Sequence, residues 1–352
     1  MAGINGSMAH LSDGLFTTAI AVYALAAVGF TAEYAFGRVG RTKAEKAAVA
    51  LRKPSRELAA VGAPSTAGGV PPEAPGSADV PTSDVSDAAA RKRGLAERIG
   101  RWALVITLLG ALVHVGSIAV RAIAVDAVPW SNMYEFASVA GLVGVVAFVA
   151  VMWKLPQLRH LGGFVLLPVI LVMFLAGTVL YSRAQPLVPA LRSYWLAIHV
   201  TLVSIAEGAL MTSAVLTALY LVKQRHDRLV TKPGYQPGAL ANLAERLPAA
   251  ATLDKAAYRV VAFSFPLYTV AIICGAIWAE AAWGRYWGWD PKETWAFIVW
   301  VIYAGYLHAR ATAGWKGRVP AWINLAGFGA ITFNFLVVNI VVSGLHSYAG
   351  LS

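Results

Sequence analysis

One cysteine in 352 residues, and charged residues at only 13%, exclude a good deal before any motif is read. The lone Cys274 forbids an intramolecular disulfide. Because it lies inside an apolar run, a thiolate metal site is also disfavoured, and it reads as packing. No Cys-x-x-Cys-His occurs, so the chain cannot carry thioether-bound haem of its own. The scarcity of charge, beside a composition that is 58% hydrophobic, excludes an ordinary soluble domain. What is present instead is a series of apolar runs long enough to cross a hydrocarbon core of ~30 Å, the pattern of an all-α polytopic membrane protein. The formal net charge of +11 does not point to nucleic acid. Its lysines and arginines are interrupted by the apolar runs and form no stripe with stacking aromatics, so the lipid bilayer, through anionic headgroups, is the expected counterpart.

About eight spans are expected, near residues 15–36, 99–120, 134–153, 161–181, 196–222, 260–279, 295–311 and 321–343. With both termini extracytoplasmic, the inner segments hold 24 Lys and Arg and the outer ones 5, as the positive-inside rule requires of a multi-pass cell-membrane protein. No Lys or Arg precedes the first run, so it lacks the basic start of a signal peptide and reads as a retained helix over 1–37. Residues 38–98 read as a basic, partly disordered cytoplasmic linker. Its centre, rich in Ala, Pro, Gly and Ser, cannot bury enough surface to fold, while its basic flanks could form short helices along the inner leaflet. Residues 99–352 then form a seven-helix membrane domain.

The densest chemistry lies in the loop 280–295, where Trp-Gly-Arg-Tyr-Trp-Gly-Trp-Asp-Pro-Lys-Glu-Thr-Trp occupies 283–295 and holds four of the chain's 12 tryptophans. A bilayer-interface belt explains one or two of these. Trp283, Trp287, Trp289 and Trp295 together, with Tyr286, make a platform suited to a large planar ligand such as haem. Asp290, Pro291 and Glu293 also spell a capping box that starts a helix, which explains those residues without any ligand. Arg285 and Lys292 could pair with haem propionates or simply snorkel.

Topology sorts the seven histidines. His199 and His346 flank the aromatic loop on the same expected face, where two neutral imidazoles could take both axial positions of a haem iron; each alone could equally be an interfacial residue. His308 and His114 are candidates for a haem pathway or for a structural hydrogen bond. His10, His160 and His226 receive no function. Glu207, an acid within the fifth span, is a functional candidate, with a hydrogen bond to a neighbouring Thr or Ser as the blander reading. Ahead of the third span, Ser131 is expected to cap, and Trp130 and Tyr134 to anchor at the interface, although this segment could also wall the site.

The 283–295 motif, the loop with His199, the Leu-His-x-Arg at His308 and the Gly-Leu-His-Ser-Tyr-Ala-Gly at His346 resemble the CcsA/ResC family of System II cytochrome c biogenesis, whose members share the tryptophan-rich WWD loop. The resemblance implies a haem-handling subunit of cytochrome c synthase that binds haem b noncovalently and transiently. It implies His199 and His346 as axial ligands and the 283–295 loop as cradle, with haem moved from the inner side and presented at the extracytoplasmic face. It further implies a ResB-type (CcsB-type) membrane partner, an apocytochrome c whose reduced Cys-x-x-Cys-His adds to the vinyls, and, indirectly, a thioredoxin-like thiol reductant. Two other classes remain open: a haem transporter without ligation chemistry, and a haem b electron-transfer subunit. The latter usually pairs histidines about thirteen residues apart on one helix, which this chain lacks.

Overall fold

The computed structural model describes residues 5–52, 82–186, 191–238, 240–312, 314–342 and 344. Among them there is no strand. The long helices are α1 (Gly6–Arg52), α2 (Thr82–Val125), α3 (Met133–Lys154), α4 (Gly162–Thr178), α5 (Tyr194–Val230), α6 (Ala250–Trp283), α7 (Pro291–Ala311) and α8 (Arg318–Val341). A 3-10 turn at Pro156–Leu161 leads into α4. α1 and α2 reach well into the expected 38–98 linker, so its flanks are helical continuations of the first two spans; its centre lies outside the described residues.

Seven stretches, carried by α1 to α6 and α8, are long and apolar enough to cross a membrane. This makes the chain a multi-pass membrane protein. α7, expected as an eighth span, is not among them. At 21 residues it has the length, about 31 Å by helical rise, but Trp295, Trp300, Tyr303, Tyr306 and His308 dilute its apolar character. Those rings are used inside the bundle: Tyr303 is buried, and Trp295 packs on Phe333 of α8 with centroids 4.2 Å apart.

Two of the clusters of buried side chains mark the halves of the bundle. One, with Phe16, Tyr23, Phe30, Phe148 and Met173, is centred among α1 to α4; the other, with Leu210, Val261, Tyr303 and Ile331, lies among α5 to α8. Leu25, Leu112, Phe174 and Phe263 point outward, as side chains facing lipid do. α3 and α5 join the halves at a point where backbones nearly touch. A Cβ on Gly208 would stand 2.6 Å from the Ala140 carbonyl oxygen, so only glycine allows that approach. The Thr212 hydroxyl donates to the Gly144 carbonyl beside it, 3.1 Å away.

A buried charge cluster ties the first two helices to the start of the third. Arg121 of α2 donates through Nε to Glu135 Oε1 (3.0 Å), through Nη1 to Asp13 Oδ1 of α1 (3.4 Å) and through Nη2 to the Ser182 carbonyl (2.6 Å). Glu135 in turn accepts from the backbone N–H and hydroxyl of Ser131, at 2.8 and 2.7 Å. The helix cap falls one residue later than expected: Asn132 Oδ1, not Ser131, accepts from the N–H of Glu135. Ser131 is committed to the Glu135 carboxylate instead, because that acceptor is charged and within reach.

Candidate functional site: an aromatic cleft with a polar floor

The aromatic loop is built by one helix stopping and another starting. α6 ends at Gly284, which adopts φ +70° and lets its N–H close on the Glu280 carbonyl (2.8 Å). α7 begins with the expected capping box. Asp290 Oδ2 accepts from the N–H of Lys292, while Glu293 Oε2 accepts from the N–H groups of Gly288 (2.8 Å) and Asp290 (3.1 Å). One carboxylate therefore pins both the loop and the helix end. Between them Trp289 is held at φ +58°, a conformation that costs a non-glycine residue about 1–2 kcal/mol. That turn directs its indole outward, 65% exposed and edge-on to Trp287 and Phe297.

Beneath the loop opens a cleft of about 1160 Å³, mouth included, at the end of the bundle where α3, α5 and α7 begin and α6 and α8 finish. Trp283, Tyr286 and Trp287 line it from the loop, Trp130 and Phe136 from the α3 side, and Trp278 from α6. His199 of α5 is set into the same wall. Its Nδ1 donates to the Ala271 carbonyl at 2.6 Å, which orients the ring and, when the ring is neutral, places its proton on Nδ1, as a main-chain carbonyl does for metal-ligating histidines. The ring lies nearly parallel to Trp278, 16° between planes and 6.5 Å between centroids, and Trp278 meets Trp283 edge-on at 4.8 Å. Glycine is required opposite the imidazole: a Cβ on Gly275 would fall 2.6 Å from His199 Nδ1.

The inner part of the cleft is polar. Glu207 of α5, Tyr268 of α6, Lys292 of α7 and Asn334 of α8 all line it. Lys292 Nζ donates to the Asn334 carbonyl (3.1 Å), and Lys292 and Glu207 face the same cavity without direct ion-pair contact. The hydrogen bond from Glu207 to a neighbouring Thr or Ser does not form; among the described residues its carboxylate makes none. Two buried atoms of the wall, Trp130 Nε1 and Asn334 Oδ1, also have no hydrogen-bond partner. An aromatic cleft with an oriented imidazole, orphaned polar atoms and a lysine suits a planar, metal-bearing, carboxylated ligand, so these residues fit haem.

The expected site residues divide accordingly. Trp283, Tyr286, Trp287 and His199 are brought together at the cleft, with Trp289 on its outer rim and Asp290 as the cap behind it. Trp295 packs between α7 and α8. His308 is exposed near the far end of α7, about 27 Å from Asp290 by helical rise. His114 is fully buried among α1, α2 and α3, with Ser138 Oγ 2.9 Å from Nε2 and the Tyr23 hydroxyl 3.4 Å from Nδ1. His346 lies outside the described residues. Arg285 folds over Gly288 with Nη1 4.0 Å from Glu293, rather than entering the cleft. Trp278, Gly275 and Asn334 were not anticipated. The spacing of Gly275, Trp278 and Ala282 on one helical face was the available signal.

A family model described as cytochrome C assembly protein matches residues 130–346, which takes in every helix that lines the cleft. The chain belongs to that family. Curated relatives, each called cytochrome c biogenesis protein CcsA, agree with it. The protein from Gloeobacter violaceus is 36% identical over 310 residues, covering 75% of this chain and 90% of its own length. Those from Guillardia theta and Synechococcus elongatus are 38% and 40% identical, covering 64% and 47% of this chain and 77% and 61% of theirs. As a member of the cytochrome c assembly family, the chain functions in cytochrome c biogenesis. The family match opens at Trp130, the first residue of the cleft wall, and leaves α1 and α2 outside it.

Proposed function

We propose that this chain is the haem-handling subunit of a System II cytochrome c synthase, with haem b as a noncovalently held, transient substrate. The observation that carries the reading is His199, its Nδ1 fixed on the Ala271 carbonyl and its ring set in an indole-lined cleft. His199 supplies one axial ligand through Nε2 and His346 the other. In support of the second, Gly344 lies against the Asp290 carboxylate, two residues before His346. Trp283, Trp287 and Trp278 hold the macrocycle by burial and edge contacts, while Tyr286 and Trp289 form the rim that a client approaches.

The residues of the cleft catalyse by positioning: they hold a vinyl-bearing edge where client thiolates reach it and keep iron ligated until the client histidine takes over. The thiolates belong to an apocytochrome c with a reduced Cys-x-x-Cys-His, kept reduced by a thioredoxin-like protein, and a ResB-type membrane subunit completes the synthase. The cleft opens on the extracytoplasmic side of the cell membrane. Charge supports this orientation, since Arg121, Arg183, Arg192, Arg285 and Lys292, the five basic residues of the cleft end, are outnumbered by 24 in the remaining segments.

The test is co-expression of the chain and its partner subunit with a Cys-x-x-Cys-His reporter, with the wild type or with His199→Ala. Wild type is expected to yield covalent haem on the reporter. His199→Ala is expected to change the Soret spectrum of the purified chain and to lower maturation by about tenfold or more, because an axial ligand is lost. Bound haem with no reporter maturation would favour the transport or electron-transfer readings, and an unchanged spectrum in His199→Ala would remove the ligand assignment.

A further inference from the structure

Four helices send polar groups to the inner end of an otherwise aromatic cleft, which is costly in a membrane protein unless a ligand uses them. Lys292 reaches inward from the first turn of α7. One of its ammonium hydrogens goes to the Asn334 carbonyl, and the ammonium has further donors to give. The Asn334 side chain is 4% exposed and its Oδ1 lacks a partner. Glu207 presents a carboxylate to the same space, and the Tyr268 hydroxyl beside it is turned to the Ala296 carbonyl, 3.4 Å away. Asp290 and Glu293, the nearby acids of α7, are occupied by the helix cap. Lys292 and Glu207 are thus the charged groups left facing the floor.

We infer that this floor is a carboxylate subsite, in which Lys292 receives the acid groups of the ligand and Glu207 faces the same space with a carboxylate that opposes them. This rests on the reading of the cleft as a haem site, and it sets the ligand's direction. Glu207 follows His199 by eight residues, about 12 Å along the helix, so a macrocycle ligated at His199 extends its acid arms toward the floor. In haem b the two carboxylates lie on one edge and the two vinyls on the opposite edge. Anchoring the acids inward therefore turns the vinyl edge toward the mouth, at Tyr286 and Trp287. An entering carboxylate takes the remaining donors of Lys292 and is repelled by Glu207 across the same space. The subsite thereby selects free acids over esters and fixes which edge is offered to a client.

The experiment measures equilibrium binding of haem b and of its dimethyl ester to the purified full-length chain, read by the Soret band, in wild type, Lys292→Met, Glu207→Gln and His199→Ala. Wild type is expected to bind the diacid about tenfold or more tighter than the ester, the size of one charge-assisted hydrogen bond. Lys292→Met should erase that preference by weakening the diacid alone. Glu207→Gln should widen it, since the competing negative charge is gone while the side-chain shape is kept, and this variant decides the matter if Lys292→Met does not fold. Equal affinity of wild type for both ligands, with a spectrum that depends on His199, overturns the subsite alone. A spectrum independent of His199 with both ligands removes the haem reading and the subsite together. A uniform loss for both ligands in Lys292→Met would make Lys292 structural, and a narrowed preference in Glu207→Gln would overturn the role given to Glu207.

Discussion

The helical pair α1–α2 and the cleft each hold a histidine within a membrane-length helix, and the two are used in opposite ways. His114 of α2 is closed in: hydroxyls of Ser138 and Tyr23 face its two nitrogens, and the rings of Phe16 and Tyr23 meet it edge-on. His199 gives one nitrogen to a main-chain carbonyl, lies along Trp278 and lines the cleft. The first arrangement completes a core. The second holds an imidazole in one tautomer and one orientation, at the cost of leaving a cavity beside it. The lesson is that an intramembrane histidine is diagnosed by whether its ring lines a cleft, and by whether glycine has made room for it.

That contrast can be broken first at His114. His114→Phe removes the partner of Ser138 and Tyr23 and is expected to destabilise the chain by about 1–3 kcal/mol, the cost of stranding buried polar groups. A detergent-solubilised thermal or denaturant melt measures this. The haem spectrum should stay as in wild type, and a changed spectrum would place His114 on the ligand's path after all. A smaller effect of the opposite kind is expected at Gly275. Its Cβ in Gly275→Ala must displace the His199 ring, weakening haem binding by about tenfold, or ~1.4 kcal/mol, in a Soret titration. Unchanged affinity would show that the imidazole adapts freely and that its fixed pose does not matter. The smallest effect belongs to the loop between α6 and α7. Asp290→Ala removes the side-chain cap of α7 and should cost about 1 kcal/mol of stability. It should also loosen the rim, seen as faster hydrogen exchange at 286–290, and no change in exchange there would detach the cap from the loop's order.

The apolar run lengths of α1 to α6 and α8 are local properties, and the helices follow from them. Asp290-Pro291-Lys292-Glu293 likewise carries its own instructions, because a capping box is made within four residues. α7 was harder to read, since a helix that buries aromatics against protein resembles one that crosses lipid in everything but average apolarity. The cleft floor was illegible for a different reason. Glu207, Lys292 and Asn334 are separated by 85 and 42 positions, and only the packing of α5, α7 and α8 puts them in one space. Nothing in the neighbourhood of Glu207 along the chain distinguishes an acid facing a cavity from one bonded to a serine. Trp278 lay between these extremes, visible as an aromatic near the loop but with no local sign that it would lie along an imidazole.

The grip of Arg121 reaches further than the pair of helices that carries it. By holding Glu135, which holds Ser131, it stations Trp130 and Asn132 at the edge of the cavity, from a part of the chain that the family match does not include. A chain trimmed of its first 125 residues would leave the buried Glu135 carboxylate with Ser131 but without its arginine, just where that edge begins. α1 and α2 are therefore no detachable anchor: they brace one edge of the cleft.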